Sequence, residues 1–340
     1  MINRKQKFIK YLFALTIILL ITDISIDHFI KKEKIPIVNK LSVKQIESVF
    51  FKVLDDYGIK SQWISSKKVK PTQDDSTSAQ YFIKIPSDIP IPFILKDINN
   101  IIEKDITGFV SEEKKIYGLT EIRIYTNEIL KLRASLLPDK NIIRTNNELS
   151  FIISDAMDLS ESNFNNFLSV SYPLACAVVP GKNIIQKVDS MKNYRKEYAL
   201  LLNNDISDSE MKLKQEFQKE LLRGSIKNII SSFKDARAYF VDEKSAVYNS
   251  AIYNFVRDDF KRQGITLYPK SELIELNAKE DSELFSKFKF YCNDTTGVHQ
   301  KLFITTFENY QKILPELIRL KKKGHKIISL AKTYLVLKEK

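Results

Sequence analysis

The sequence predicts an α/β protein in three parts: an N-terminal membrane helix, a small α+β domain, and a larger unit built on a parallel sheet. Three observations predict this order. A basic stretch and then an apolar run open the chain. Between residues 41 and 147, helical and strand patterns follow one another without regular alternation. From 148 to 335, short apolar strands alternate with amphipathic helices, which is typical of parallel sheets and barrels.

The N-terminal segment has the layout of a signal anchor. Its basic residues are Arg4, Lys5, Lys7 and Lys10. The apolar stretch at residues 8–26 approaches the roughly 20 residues that span a bilayer. We expect residues 1–30 to form an uncleaved transmembrane helix, with a cleaved signal peptide and a buried amphipathic helix as alternatives. The basic residues before the run place the body of the chain on the extracytoplasmic side of the cytoplasmic membrane.

A charged linker at residues 31–40 leads into the predicted small α+β domain at 41–147. Apolar residues at helical spacing predict a first helix that Ser42 caps and Gly58 ends. A second helix is predicted over Pro92–Asp105. Strands are predicted at Gln62–Ser66, Tyr81–Ile85, Thr107–Ser111, Glu121–Thr126 and Ile129–Ala134. No catalytic constellation stands out here, so a structural, glycan-binding or partner-binding role is expected for this domain.

Seven strands are predicted in the second half, at residues 148–335, before a basic tail at 336–340. They are Leu149–Ser154, Leu174–Val179, Tyr198–Leu202, Ala238–Val241, Ile265–Tyr268, Lys301–Thr305 and Lys326–Leu330. The clearest intervening helices are Glu210–Ile230, Ala246–Gln263 and Glu308–Lys323. This alternation predicts a (β/α) barrel with one unit missing or distorted, and in such barrels the chemistry lies at the carboxyl ends of the strands.

Polar residues follow several of these strands. Asp155, after the first strand, is the strongest single candidate, because a strand-end carboxylate can bind a divalent metal or act as a base. It could equally cap the next helix. Asp242 after the fourth strand is a second strand-end carboxylate. The candidate substrate-binding residues at the same edge are Ser154, Asn203, Asn204 and Ser245.

Four blocks in order resemble the divergent polysaccharide deacetylase family over residues 149–335. They are F-I-I-S-D, then S-Y-P-L-A-C-A-V-V-P-G, then Y-F-V-D-E-K-S-A-V-Y-N-S-A, and the closing strand–helix–strand from Leu302 to Leu330. The resemblance implies a distorted seven-stranded (β/α) barrel, a location in the cell envelope and a role in carbohydrate metabolism. Members of that family would use a metal-activated water to remove N- or O-acetyl groups.

This chain departs from the family at the metal ligands. Ser154 stands in place of the first family aspartate, while Asp155 corresponds to the second. The positions expected to hold histidines fall near Asn203 and at Thr305–Thr306. A zinc site normally takes three protein ligands, so the resemblance implies a degenerate metal site in which Asp155 is a weak ligand. No cofactor is therefore expected, or zinc or another divalent metal if the protein is active.

The chain has three histidines, His28, His299 and His325, and none forms an H-x-x-H motif. We expect His28 to lie at the membrane interface, His299 in a loop and His325 at a helix C-terminus, although His299 could be a ligand.

The net charge of +12 suggests nucleic-acid binding, but its distribution argues against it. Residues 1–40 hold eight Lys/Arg and three Asp/Glu, and residues 319–340 hold eight and one. The middle of the chain is neutral, whereas nucleic-acid-binding domains carry a basic face on the folded body. No nucleic-acid partner is expected.

Two cysteines, Cys176 and Cys292, lie far apart in the sequence, and no C-x-x-C motif occurs. We expect buried free thiols, with a single disulfide as the alternative.

Three functions stay open at this point. The favoured one is a membrane-anchored bacterial pseudoenzyme on a deacetylase-like scaffold that binds a cell-envelope glycan or assists envelope assembly. The second is an active metal-dependent carbohydrate deacetylase or esterase with a site rebuilt around Asp155 and Asp242. The third is an unrelated envelope interaction protein.

Overall fold

The computed structural model describes residues 41–103, 108–114, 116, 118–144, 146–294 and 299–333. The membrane segment predicted at 8–26, the linker at 31–40 and the tail at 336–340 lie outside the described residues. Within the described ranges, no helix combines the length and the apolar character needed to cross a bilayer. The chain divides into two compact units, one over most of residues 41–139 and the other from 140 onward with the short segments 54–60 and 86–88.

The first unit is a five-stranded sheet with two helices. The helices are α1 (Val43–Asp56) and α2 (Ile91–Ile102). The strands are β1 (Ile64–Lys68), β2 (Ala79–Pro86), β3 (Gly108–Glu113), β4 (Thr120–Thr126) and β5 (Ile129–Asp139). Their order is β1-β2-β5-β4-β3, and the β1–β2, β3–β4 and β4–β5 pairs are antiparallel. The α+β class predicted for this part of the chain is therefore observed.

Helix α1 begins and ends as its sequence predicts. The Ser42 hydroxyl accepts a hydrogen bond from the Gln45 backbone N–H at 3.3 Å, and the Gln45 side chain accepts one from the Ser42 N–H at 2.8 Å. This reciprocal pair is a capping box. Gly58 follows the helix with φ of 68°, a left-handed conformation that glycine adopts without a Cβ penalty.

The second unit alternates strands with helices along most of its length. Its strands are β6 (Glu148–Ile153), β7 (Ala175–Val178), β8 (Glu197–Leu202), β9 (Tyr239–Val241), β10 (Leu267–Pro269), β11 (Ile274–Glu275), β12 (Gln300–Thr305) and β13 (Lys326–Ile327). Its helices are α3 (Glu161–Ser169), α4 (Ile185–Asn193), α5 (Lys219–Ser232), α6 (Tyr253–Arg262), α7 (Asp281–Asn293) and α8 (Phe307–Lys322).

These strands form one parallel sheet in the order β10-β9-β8-β7-β6-β12-β11, and β13 also pairs with β6. Each strand from β6 to β10 is added beside its predecessor, and β12 returns to the free side of β6. This winding gives a curled half-barrel. The α/β class and the parallel sheet are confirmed. Every predicted strand has an observed counterpart, and β11 is the additional strand that brings the sheet to eight.

The two faces of the sheet carry side chains of different size. One face packs large residues such as Phe151, Leu200 and Phe303 against the helices in the main core cluster. The other face holds a smaller cluster in which four of the ten members are alanine. A curled sheet leaves least room on its concave side, so small residues there allow the curl without overpacking.

Two predicted helices begin later than expected. Helix α5 starts at Lys219 rather than Glu210, and α6 starts at Tyr253 rather than Ala246. In the second case, Ser245 accepts a hydrogen bond from the Tyr248 N–H, and the Asn249 amide donates to the carbonyls of Glu243 and Ser245. Such local bonds compete with helical hydrogen bonds and hold the segment in turns.

Both cysteines are buried free thiols, as predicted. Burial raises the pKa of Cys176 and of Cys292, so both thiols stay protonated in the folded protein.

Candidate functional site

The carboxyl ends of the parallel strands meet along one side of the half-barrel, here called the carboxyl edge. All predicted site residues lie there, because each follows the end of a parallel strand. The strand order distributes them between two clusters. The β6–β12 cluster comprises Ser154, Asp155, Thr305 and Thr306. The β8–β9 cluster comprises Asn203, Asn204, Asp242 and Ser245.

In the β6–β12 cluster, Asp155 caps a helix. Its Oδ1 accepts a hydrogen bond from the Phe307 backbone N–H at 2.8 Å, at the first residue of α8. Thr306 is the N-cap, and its hydroxyl accepts from the Asn309 N–H at 3.3 Å. The carboxylate thus lies at the positive end of the helix dipole, where a negative charge is stabilised. The capping alternative stated for Asp155 is realised on α8 rather than on the helix that follows it in sequence.

The other two residues of this cluster bond to backbone carbonyls. The Ser154 backbone N–H and hydroxyl both donate to the Thr305 carbonyl, at 2.8 and 3.2 Å. Thr305 is fully buried, and its hydroxyl donates to the Leu276 carbonyl at 2.9 Å. Each hydroxyl therefore joins two segments of the sheet edge.

In the β8–β9 cluster, short loops are held by their own side chains. Asp242 accepts a hydrogen bond from the Lys244 N–H at 2.9 Å, which forms an Asx turn. Asn203 makes the equivalent bond to the Asp205 N–H at 3.0 Å. Asn204 accepts from the Ala246 N–H at 2.8 Å and so joins the loop after β8 to the loop after β9.

Ser245 is the fourth residue of this cluster, and Glu243 lies in the same loop after β9. Ser245 is 1% exposed, and its hydroxyl accepts from the Tyr248 N–H at 3.3 Å. Glu243, which the sequence did not single out, accepts from the Ser271 N–H at 3.1 Å. Burial acts to raise the pKa of Glu243, but its hydrogen bonds with Ser271 and nearby backbone groups outweigh burial and lower it.

The two clusters are separated across the sheet. Strands β7 and β8 lie between β6 and β9, so Asp155 and Asp242 follow strands that are not neighbours in the sheet. The strand order therefore brings Asn204 to the loop of Asp242 and Ser245, and brings Asp155 to Thr306.

Both described histidines lie at the opposite, amino edge of the sheet. His299 immediately precedes β12, and its carbonyl accepts from the Glu148 N–H at the start of β6. His325 immediately precedes β13, which pairs with the same end of β6. Burial, with the nearby charges of Arg144 and Lys323, lowers the pKa of His325. The six residues of β6 separate these imidazoles from Asp155 by about 20 Å, at about 3.3 Å per residue.

No group of three or more His, Cys, Asp or Glu within the described ranges is placed to hold a metal ion. At the carboxyl edge, the side-chain oxygens of Asp155 and Asp242 instead accept hydrogen bonds from backbone N–H groups, and the Thr305 hydroxyl donates to a backbone carbonyl. This donor set does not fit a zinc site of the deacetylase type, which needs three protein ligands converging on one point.

No family model and no curated protein matches the chain. Among solved structures it is similar to an uncharacterized protein from Agrobacterium tumefaciens C58, at 10% identity and a TM-score of 0.37, over 57% of this chain and 91% of that one. It is also similar to a CE4 family pseudoenzyme from Bacillus anthracis, at 9% identity and a TM-score of 0.36, over 67% of this chain and 91% of that one. A mutant of that pseudoenzyme with restored enzymatic activity matches at 10% identity and a TM-score of 0.37, over 67% of this chain and 94% of that one.

Proposed function

We propose that this chain is an extracytoplasmic, membrane-anchored protein with a deacetylase-like half-barrel that binds a cell-envelope glycan and does not carry out metal-dependent deacetylation. Residues 8–26 would supply the anchor, and no nucleic acid would take part. The observation that carries the proposal is the hydrogen bond from the Phe307 N–H to Asp155. The carboxylate at the family's metal-binding position has a structural partner within the chain.

The placement of the histidines supports the same proposal. A metal-activated water needs a metal held by several ligands at one point. Asp155 has Thr305 and Thr306 beside it where the resemblance implies a histidine, and His299 and His325 lie at the other edge of the sheet. A glycan-binding role needs a surface with hydrogen-bonding groups and aromatic rings and requires no metal.

Zinc titration of the full-length chain tests the proposal, with calorimetry to measure affinity and elemental analysis to measure metal content. We expect no zinc binding at micromolar concentration and no release of acetate from acetylated envelope glycans. The Asp155→Asn variant should behave like the wild type in both assays, because asparagine offers an oxygen to the Phe307 N–H as well.

Stoichiometric zinc that is lost in Asp155→Asn, together with metal-dependent acetate release, would instead establish an active deacetylase with a rebuilt site. The Asp242→Asn variant is the matched comparison, because Asp242 lies in the other cluster. Zinc binding lost in both variants would show that the two carboxylates share one ion.

A further inference from the structure

The amino edge of the half-barrel contains a cavity of about 490 Å³. Strand β7 pairs only with Ile152 and Ile153 of β6, while β13 pairs with Glu148 and Leu149 at the start of β6. The segments before β7 and β8 and the turn after β13 line this cavity, which is open to solvent. It is separate from both clusters of the carboxyl edge.

Lys196 is the central polar group of this cavity. Its side chain is buried, with 8% of the residue exposed, and its ammonium donates to the carbonyls of Val170 and Tyr172, the latter at 3.4 Å. An ammonium has three donors, so one remains after these two bonds, and the centre of the Phe167 ring lies 5.8 Å from the same ammonium. Burial lowers the pKa of Lys196 to about 8, because the charged form loses solvation.

Among the described residues, no carboxylate forms an ion pair with the Lys196 ammonium. Glu197 also lines the cavity, but its side chain accepts from the Ala331 N–H at 3.1 Å and lies 3.8 Å from the Arg237 guanidinium. Arg195, at the cavity mouth, makes no ion pair with any described residue and has a φ of 54°, unusual for a residue with a Cβ. An anionic group in the cavity would compensate Lys196 and Arg195 together.

The rest of the lining is suited to a sugar. Tyr172 and Tyr194 present aromatic rings, and Tyr194 is 55% exposed. The Lys321 ammonium lies 4.9 Å from the centre of the Tyr172 ring. Ser169, Ser171 and Ser329 also line the cavity, and the Ser169 hydroxyl donates to the Asn166 carbonyl at 2.8 Å. Pockets with aromatic walls and a few placed polar groups bind ligands that have both apolar and polar faces.

We propose that this amino-edge cavity binds an acidic saccharide, with the carboxylate of a uronic acid on Lys196 and Arg195 and the sugar ring against Tyr172 and Tyr194. The proposal rests on the glycan-binding function above in taking a saccharide as the ligand. It adds the location of the site and the charge of the sugar, neither of which follows from the carboxyl edge.

Calorimetry on the full-length chain tests it with a glucuronate-containing oligosaccharide and the same oligosaccharide after reduction of its carboxyl groups to alcohols. We expect the acidic form to bind at least tenfold more tightly than the reduced form. The Lys196→Met variant should lose at least tenfold in affinity, and Tyr194→Ala several-fold. Lys182→Met is the matched control, since Lys182 is an exposed, ion-paired lysine of the carboxyl edge and should bind like the wild type.

Equal binding of the acidic and reduced forms would overturn the proposed charge, and equal binding by Lys196→Met and Lys182→Met would overturn the proposed location. In either case the glycan-binding function would stand. Failure of both oligosaccharides to bind would reject this site, and binding of neutral envelope glycans by the same chain would then decide the glycan-binding function separately. If Lys196→Met does not fold, judged by circular dichroism, Tyr194→Ala and the reduced ligand decide the matter, because Tyr194 is largely exposed.

Discussion

The two edges of the parallel sheet differ in how their polar groups are satisfied. At the carboxyl edge, where barrel enzymes place their chemistry, Asp155, Asn204 and Asp242 accept hydrogen bonds from backbone N–H groups. At the amino edge, buried Lys196 donates to two carbonyls and has no carboxylate among the described residues. The polar side chains at the carboxyl edge are thus hydrogen-bonded within the chain, whereas the amino edge has a buried positive charge that an anionic ligand can neutralise.

Buried Lys196 is expected to make the stability of the folded protein depend on pH, and this effect is the greatest of the three described here. Its pKa is lowered from 10.5 to about 8 on folding, so between these values the unfolded chain binds more protons than the folded one. The unfavourable free energy of burying the charged Lys196 side chain lowers the stability fully below pH 8. This contribution is removed as the pH rises from 8 toward 10.5. We expect the free energy of unfolding of the wild type, relative to Lys196→Met, to rise by about 2 kcal/mol from pH 7.5 to 9.5.

Urea denaturation of both proteins at three pH values measures this difference. The comparison with Lys196→Met cancels the contributions of Tyr198 and Tyr239, whose pKa values burial raises to about 12 in both proteins. A stability difference between the two proteins that does not change with pH would show that Lys196 is solvated in the folded state. The amino edge would then have no buried charge to distinguish it from the carboxyl edge.

The next effect concerns Asp155 as a helix cap. Replacement by alanine removes the acceptor for the Phe307 N–H, and loss of such a cap costs about 1 kcal/mol. Asp155→Asn should lose less, because the amide oxygen can still accept. Urea midpoints of the three proteins without added metal measure this order. Equal stability of wild type and Asp155→Ala would remove the structural role assigned to the carboxylate and reopen a catalytic one.

The smallest effect concerns the link between the loops after β8 and β9. Asn204→Ala removes the acceptor for the Ala246 N–H, an exposed neutral hydrogen bond of about 0.5 kcal/mol. Asn203→Ala should have less effect, because its bonds are confined to Asp205, two residues away. Hydrogen exchange of the Ala246 amide gives the direct measurement, with faster exchange expected only in Asn204→Ala. Equal exchange in both variants would show that Asn204 does not hold the β8–β9 cluster together.

Local patterns predicted most of the elements, and the exceptions have physical causes. The two residues of the capping box, Ser42 and Gln45, are three positions apart, so a local sequence pattern is enough to predict it. Helix α6 begins late because the side chains of Ser245 and Asn249 form hydrogen bonds with nearby backbone groups. These bonds take the place of helical backbone hydrogen bonds. Strand β11 is two residues long, too short for an apolar period, and forms because β12 lies beside it.

The candidate site was predicted less completely than the fold. Asp155 and Asp242 were found because each follows a buried strand, a local feature. Their assignment to separate clusters depends on which strands are neighbours. Lys196 was missed, because a lysine before a strand has no distinguishing pattern until the chain buries it between Val170 and Tyr172.

Local sequence patterns were enough to predict the α/β class, the strand–helix alternation and which polar residues stand at strand ends, because all three depend on neighbours along the chain. The strand order, the use of Asp155 as a cap for α8 and the burial of Lys196 in a cavity were visible only in the three-dimensional structure. Each of these joins residues far apart in sequence, such as Asp155 and Phe307, and such contacts are set by how the sheet curls rather than by any local pattern.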